Sequence, residues 1–339
     1  MASPNIKAIA VAALLAATGA ATGSTGAEAQ DWKCYTYQSA PASPVVIGLQ
    51  KMADTIAAVT KGRIAVKCSV GGALPIDANS IAPALSDGVL DFVSVANISG
   101  YVPLAAIGIL PGLFTDNAEF DTKGWPVLKP IIDAEFDKRG IKVLGVYHYP
   151  PQVVWGAKGA PPLKALAELK GKTLRIGNPE QGDLAKALGA VPVTLPTPDV
   201  SPALQRGGVQ YVITAAAAGG RLWRDFFASG IMDQIFVATS YIAINKKRWE
   251  ALSKDERDAI QKNVDETTAW ITKTQENDDG VAVKEFVEKD KWTITPKSAT
   301  VQAEIVKVME PIWKKWAADR GPDAVKMLTD LRKALGHAM

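Results

Sequence analysis

Arg175 is the residue whose type and setting most need a chemical explanation. It stands in "LKGKTLRIGN", Leu169 to Asn178, where Thr173 to Ile176 reads as a short strand running into a glycine and an asparagine. The nearby runs "VPVTL" and "VQYVIT" also read as strands, and the inner strands of a parallel sheet are buried on both faces. A guanidinium in such a strand needs an anionic partner, because leaving a buried charge unpaired costs several kcal/mol. Cys34 and Cys68 are the other residues with chemistry to offer. In an exported chain two cysteines favour a disulfide, closing a loop of about 35 residues, with two inert buried thiols as the alternative.

Catalytic chemistry finds no comparable set. "GKT" at Gly171 to Thr173 has Leu166 where a phosphate loop requires its first glycine, and it precedes a strand instead of following one. No G-x-S-x-G, H-E-x-x-H or C-x-x-C occurs. The histidines are His148 and His337, and His148 in "VYHYPP" reads as a packed or hydrogen-bonded residue. Metal-ligand spacing is not evident, so neither a metal nor a cofactor is expected. An exported hydrolase is the rival class to a binding protein, and the two differ in whether the ligand is returned unchanged.

The elements that must position Arg175 follow from periodicity. Residues 1–29 read as a secretion signal: Lys7 gives the positive start, "AIAVAALLAATGAATG" is apolar, and "AEA" precedes Gln30. The mature chain is then exported and soluble. It has room for two lobes of ordinary size. With 38 Lys+Arg against 35 Asp+Glu and no basic run interleaved with aromatics, nucleic acid is not an expected partner. "WKCYTYQ" reads as a strand, followed by a helix capped by Ser43 with Val46, Leu49, Met52, Ala53 and Ile56 as its apolar stripe. "RIAVKCSV" (strand), "ANSIAPALSDG" (helix) and "VLDFVSVAN" (strand) complete the first unit. The same order returns in "TLRIGN", "EQGDLAKALG", "VPVTLP", "DVSPALQRGG" and "VQYVIT", and "ALSDGVLDFVSV" aligns with "ALQRGGVQYVIT". Alternation of this kind implies two α/β lobes with parallel sheets.

Ligands of open parallel sheets sit beyond the carboxyl ends of the strands. Those ends carry Gln38, Gly71, Gly72 and Asn97 in the first lobe, and Arg175, Asn178, Thr197 and Thr214 in the second. Lobes facing one another would bring these residues into one cleft. Further on, Ser253 and Glu256 form a capping box at the start of a helical pattern reaching about Phe286. That pattern is either one long helix or two, broken near "NDDG".

The chain resembles the periplasmic solute-binding proteins of TRAP (tripartite ATP-independent periplasmic) transporters over nearly all its mature length. The resemblance rests on "LSDGVLDF", "ILPGLF", "LKGKTLRIGN", "LGAVPVTLPTPDVSPALQRGGV" and "AINKKRWEALSKDERDAI". It implies a two-lobed α/β periplasmic binding protein fold, each lobe a mostly parallel sheet flanked by helices, joined by a strand hinge and a long helix. The implied lobes are residues 30–153 with 240–278, and 154–239 with 279–339. In this family the matching arginine clamps the carboxylate of an organic acid, a task suited to the planar two-pronged guanidinium. The ligand is then passed to membrane subunits.

The departures bear on the ligand. Where relatives that bind sialic acid carry a second arginine, an ungapped count from Arg175 falls on Trp155. Asp199 and Ser201 replace the usual Glu and Tyr, "VQY" replaces Val-Asp-Gly, and Thr214 followed by "AAAAGG" stands where relatives often carry a binding Asn. A polyol would leave polar groups unmet there, so a monocarboxylate with an apolar or aromatic body is expected. It would be held by Arg175 and packed on Trp155, with Asn178, Asn97 and Gln38 hydrogen-bonding the rest. The alternative for Trp155 is a place in the core with no part in selection.

Overall fold

A computed structural model describes residues 30–96 and 98–336. The expected signal, Asn97 and His337 lie outside the described residues. The first unit runs β1 (Gln30–Thr36), α1 (Pro44–Val59), β2 (Ile64–Ser69), α2 (Ile81–Ser86) and β3 (Phe92–Val95), in the order the sequence implies. Pro44 opens α1, where the missing N–H costs nothing, and Val45, Leu49, Met52, Ala53 and Ile56 form its buried stripe. Val45 thus takes the place expected of Val46. Then come α3 (Asn117–Glu119), α4 (Trp125–Asp137) and β4 (Ile141–His148).

After a three-residue crossing the chain enters the second lobe with β5 (Gln152–Ala157). The second unit follows as β6 (Thr173–Ile176), α5 (Pro179–Ala187), β7 (Val191–Thr194), α6 (Thr197–Gln205) and β8 (Tyr211–Thr214), and then β9 (Phe227–Phe236). The chain returns through β10 (Thr239–Asn245) and α7 (Lys246–Glu250) to α8 (Lys254–Glu288), and ends with β11 (Thr293–Thr295), α9 (Ala299–Ala318) and α10 (Pro322–Leu335).

The repeat read from the sequence is a repeat of topology. One sheet has the order β2-β1-β3-β10-β4 and the other β11-β9-β5-β8-β6-β7. In each, three parallel strands of one unit (β2-β1-β3, and β7-β6-β8) meet an antiparallel strand that has just crossed from the other lobe (β10, and β5). Both sheets are therefore mixed. The crossings place the lobes: Val153 on β5 pairs with Thr214 at the carboxyl end of β8, while Thr239 on β10 pairs with His148 at the end of β4. The carboxyl edges of the two sheets meet at these crossings.

Three covalent or helical features fasten this frame. Cys34 and Cys68 sit directly opposite on β1 and β2 and form a disulfide. Helix α8 is one unbroken helix of 35 residues, started by the reciprocal Ser253–Glu256 capping box and continuous through Gly280. Its first part packs on lobe I, where Gly48 lets α1 approach so closely that an added Cβ would lie 2.6 Å from Ile271. Its last part buries Ala282 and Phe286 in the second lobe. Helix α10 packs on α9 and also reaches the first lobe, where Met327 and Asp330 share a groove with Ile131 and Ala134 of α4. Its buried stripe of Ala324, Met327, Leu328 and Leu331 makes both contacts. Among the described residues, no helix is long and apolar enough to cross a membrane.

Candidate functional site

The Arg175 guanidinium is buried, and its Nε and Nη2 both donate to the Leu195 carbonyl, at 3.1 and 2.8 Å. Leu195 directly follows β7, the strand paired with β6, so local topology supplies this support. No carboxylate of the described residues pairs with the guanidinium, and burial alone pulls its pKa below the ordinary arginine value. Two of its five N–H groups are engaged, which leaves 5 − 2 = 3 donors, including both on Nη1. Gly177 keeps the approach open, since a Cβ there would stand 3.4 Å from Nη1. The guanidinium carbon lies 5.6 Å from the centre of the Trp223 ring.

Trp223 and Thr214 meet at Gly219, where an added Cβ would come within 2.4 Å of the Trp223 ring and 2.5 Å of Thr214 Oγ1. The turn carrying Gly219 is held from outside: Asp279 on α8 accepts the Ala217 N–H at 2.8 Å. Burial outweighs that hydrogen bond and raises the Asp279 carboxyl to about 6.

Of the residues singled out from the sequence, Arg175 and Thr214 are brought together around Trp223. Trp155 is not at an open wall. It is fully buried among Phe227, Phe286 and Trp292, and its indole N–H donates to the Thr214 carbonyl at 3.0 Å. It shares a sheet face with Arg175, both being opposite Val212, but lies two strands away, roughly 10 Å. Helix α8 and Trp292 cover that part of the sheet, and this cover corrects the expectation of a cleft-facing Trp155. Trp155 backs Thr214, and the aromatic face beside Arg175 belongs to Trp223. Asn178 caps α5, its Oδ1 accepting the Gln181 N–H at 2.9 Å, so its oxygen is already engaged. Thr197 is exposed at the start of α6, two residues beyond Leu195. Asn97 lies outside the described residues.

On the first lobe, Gln38 Nε2 donates to Tyr149 Oη at 3.2 Å. Tyr149 belongs to a cluster the sequence reading missed: Tyr37 Oη is 2.6 Å from Tyr149 Oη, which is 3.2 Å from Tyr147 Oη, itself 2.7 Å from Ser94 Oγ. The doublet "YHY" at the end of β4 was the available signal, since residues i and i+2 share a face, and Tyr37 joins it from just beyond β1. His148 is buried, with Nε2 2.8 Å from Asp121 Oδ1, as a hydrogen-bonded structural histidine.

Two grooves lie elsewhere. One of about 810 Å³ runs between β4 and α8, and one of about 870 Å³ lies along α9. Neither is lined by Arg175 or by the tyrosine cluster. A buried cation without an anion marks the site better than volume does.

Comparison with known proteins agrees with this arrangement. The family model DctP, bacterial extracellular solute-binding protein, family 7, matches residues 35–319. Among solved structures, a Bordetella pertussis extracytoplasmic solute receptor binding pyroglutamic acid is similar at 22% identity and TM-score 0.77, over 90% of this chain and 100% of that one. A TRAP periplasmic solute-binding protein from Ochrobactrum anthropi, with its C-terminus bound in the ligand-binding pocket, gives 22% identity and TM-score 0.80 over 91% and 97%. One from Desulfovibrio salexigens with bound orotic acid gives 19% and 0.76 over 90% and 98%.

Proposed function

Because the chain belongs to the DctP family of bacterial extracellular solute-binding proteins, family 7, we propose that it captures a small organic acid by its carboxylate between the two lobes and delivers it to TRAP membrane subunits. The observation that carries this reading is the buried Arg175 guanidinium with three unspent donors and no anionic partner. A carboxylate fits both the charge and the planar fork. Pyroglutamic and orotic acids, named with similar structures, belong to the same chemical class. The apolar surroundings, Trp223 and the alanines after Thr214, favour a monocarboxylate with an apolar or aromatic body. The ligand would leave unchanged, as befits a receptor.

A thermal-shift panel of small carboxylates tests this. A cognate ligand at a hundred times its dissociation constant stabilises the protein by about 2.7 kcal/mol. Arg175→Lys should respond weakly, because an ammonium cannot reproduce the two-pronged contact. Strong binding of uncharged solutes, or undiminished carboxylate binding by the lysine variant, would overturn the reading. Recovery of a chemically altered ligand would reinstate the hydrolase.

A further inference from the structure

We infer that the hydroxyl cluster Tyr37–Tyr149–Tyr147–Ser94 reads the far end of the ligand and accepts a neutral hydrogen-bonding group there, rejecting a second carboxylate. This rests on Arg175 holding the first carboxylate.

Placement comes first. Strand β4 runs parallel to β1 and β3, since each of them adjoins the antiparallel strand β10 or a strand parallel to that neighbour. Tyr37, Ser94 and Tyr149 therefore gather at one edge of the sheet, its carboxyl edge. Tyr149 stands four residues before Val153, whose pairing partner is Thr214 in the Arg175 site. The hydroxyls thus face the second lobe across the crossing.

Proton accounting defines what the cluster can offer. Ser240 Oγ donates to the Val95 carbonyl at 2.9 Å, so it can accept from Tyr147, its other partner. With protons directed inward, Tyr37 donates to Tyr149, Tyr149 to Tyr147 and Tyr147 to Ser240, while Ser94 also donates to Tyr147. Every proton is then used, and Tyr37 presents lone pairs to a donor such as N–H or O–H. With protons directed outward from Ser94, each hydroxyl donates to the next, and Tyr37 presents its proton to a carbonyl or ether oxygen. Ser94 and Tyr147 are fully buried, whereas Tyr37 and Tyr149 keep part of their surface exposed, so the relay runs from the interior toward its less buried end. Burial pushes the Tyr37 and Tyr149 hydroxyls above the ordinary phenol range; the neighbouring tyrosines add to this at Tyr149, whereas at Tyr37 the hydrogen bond with Tyr149 opposes it.

Charge sets the exclusion. The sequence has no lysine or arginine from Cys34 to Gln50 or from Cys68 to Thr122, stretches that include every loop after β1, β2 and β3. Tyr149, Pro150 and Pro151 after β4 add none. Arg139 reaches the Tyr101 ring and Lys297 the Thr115 carbonyl from elsewhere in the chain, but among the described residues no cation hydrogen-bonds the four hydroxyls, so a second carboxylate placed against them would be desolvated without a counter-charge. A neutral hydroxyl, amide or carbonyl loses far less.

The experiment is calorimetry with short carboxylates that share a carbon skeleton but end in a methyl, a hydroxyl or amide, or a second carboxylate. The tightest binder should carry the neutral polar end. Tyr37→Phe and Tyr149→Phe, which keep the ring, should each weaken it about tenfold, the loss of one hydrogen bond to a buried group, and leave the methyl-ended acid nearly unchanged. A dicarboxylate as the tightest binder, or phenylalanine variants with unaltered preference, would overturn the inference while Arg175-dependent binding stands. Absence of Arg175-dependent binding of any carboxylate would remove the proposed function itself.

Discussion

Tyr35 and Arg175 hold corresponding places in the two lobes. Tyr35 lies on β1 opposite Val93 of β3, and Arg175 on β6 opposite Val212 of β8. Aligning "ALSDGVLDFVSV" with "ALQRGGVQYVIT" superposes those two valines. Each side chain donates to a backbone carbonyl in the segment beyond the outer strand: Tyr35 Oη to Ile76 at 2.9 Å, and Arg175 to Leu195. Tyrosine has one proton and spends it, so its position is purely structural. Arginine spends two of five, and the remainder is available to a ligand. A shared frame thus becomes a neutral wall in one lobe and a charged wall in the other through a single side chain.

The sharpest way to break this comparison is to remove both residues in turn. Arg175→Ala should cost up to about 5 kcal/mol of carboxylate binding, the scale for losing one partner of a buried charge pair. Tyr35→Phe should leave binding intact. Calorimetry on the two variants checks both, and comparable losses would erase the distinction. Trp155→Ala comes next. It removes a fully buried indole, so denaturant unfolding should show about 3–5 kcal/mol of lost stability, with carboxylate preference unchanged.

The disulfide separates the lobes in another way. Cys34 corresponds to Leu174 and Cys68 to Pro192, so only the first lobe has its outer strand tied covalently to the next. By the loop-entropy estimate for a separation of 34 residues, Cys34→Ala with Cys68→Ala should lose roughly 3–4 kcal/mol of stability. Thiol titration of the unfolded, unreduced protein should find no free thiol. The smallest effect is a pH slope. The Asp279 carboxyl rises from 3.8 to about 6 on folding, so the native state binds its proton more tightly. Its contribution is fully present below pH 3.8 and is lost as pH rises through about 6. Melting temperatures of Asp279→Asn against the parent across that window should show a flatter profile for the variant.

Much of this was legible because it is local. The five-element repeat, the Ser253–Glu256 cap and the Cys34–Cys68 bridge all follow from spacing or composition, as does the burial of Arg175 within its strand. What escaped depends on residues far away in the chain. Strand alternation puts Trp155 and Arg175 on one face, but nothing near Trp155 says that Phe286 and Trp292 will cover it. Nor does "AAAAGGRLW" say which way Trp223 turns, because the turn is fixed by Asp279, more than sixty residues on. The tyrosine relay needed the antiparallel return of β10 to bring β4 near β1.

One consequence of the unbroken α8 concerns leverage. Glu276 takes a hydrogen bond from Asn117 of the first lobe, and Asp279, one turn later, holds Ala217 of the second. The handover between lobes therefore falls within a single turn, with roughly 33 Å of helix before it and 14 Å after it, at 1.5 Å per residue. The helix is a beam with an off-centre fulcrum. Rocking by about a tenth of a radian at that turn sweeps the Lys254 end through roughly 3 Å and the Glu288 end through little more than 1 Å, by the same rise per residue. A small rotation about that turn would therefore displace the Lys254 end, on the first lobe, more than the Glu288 end.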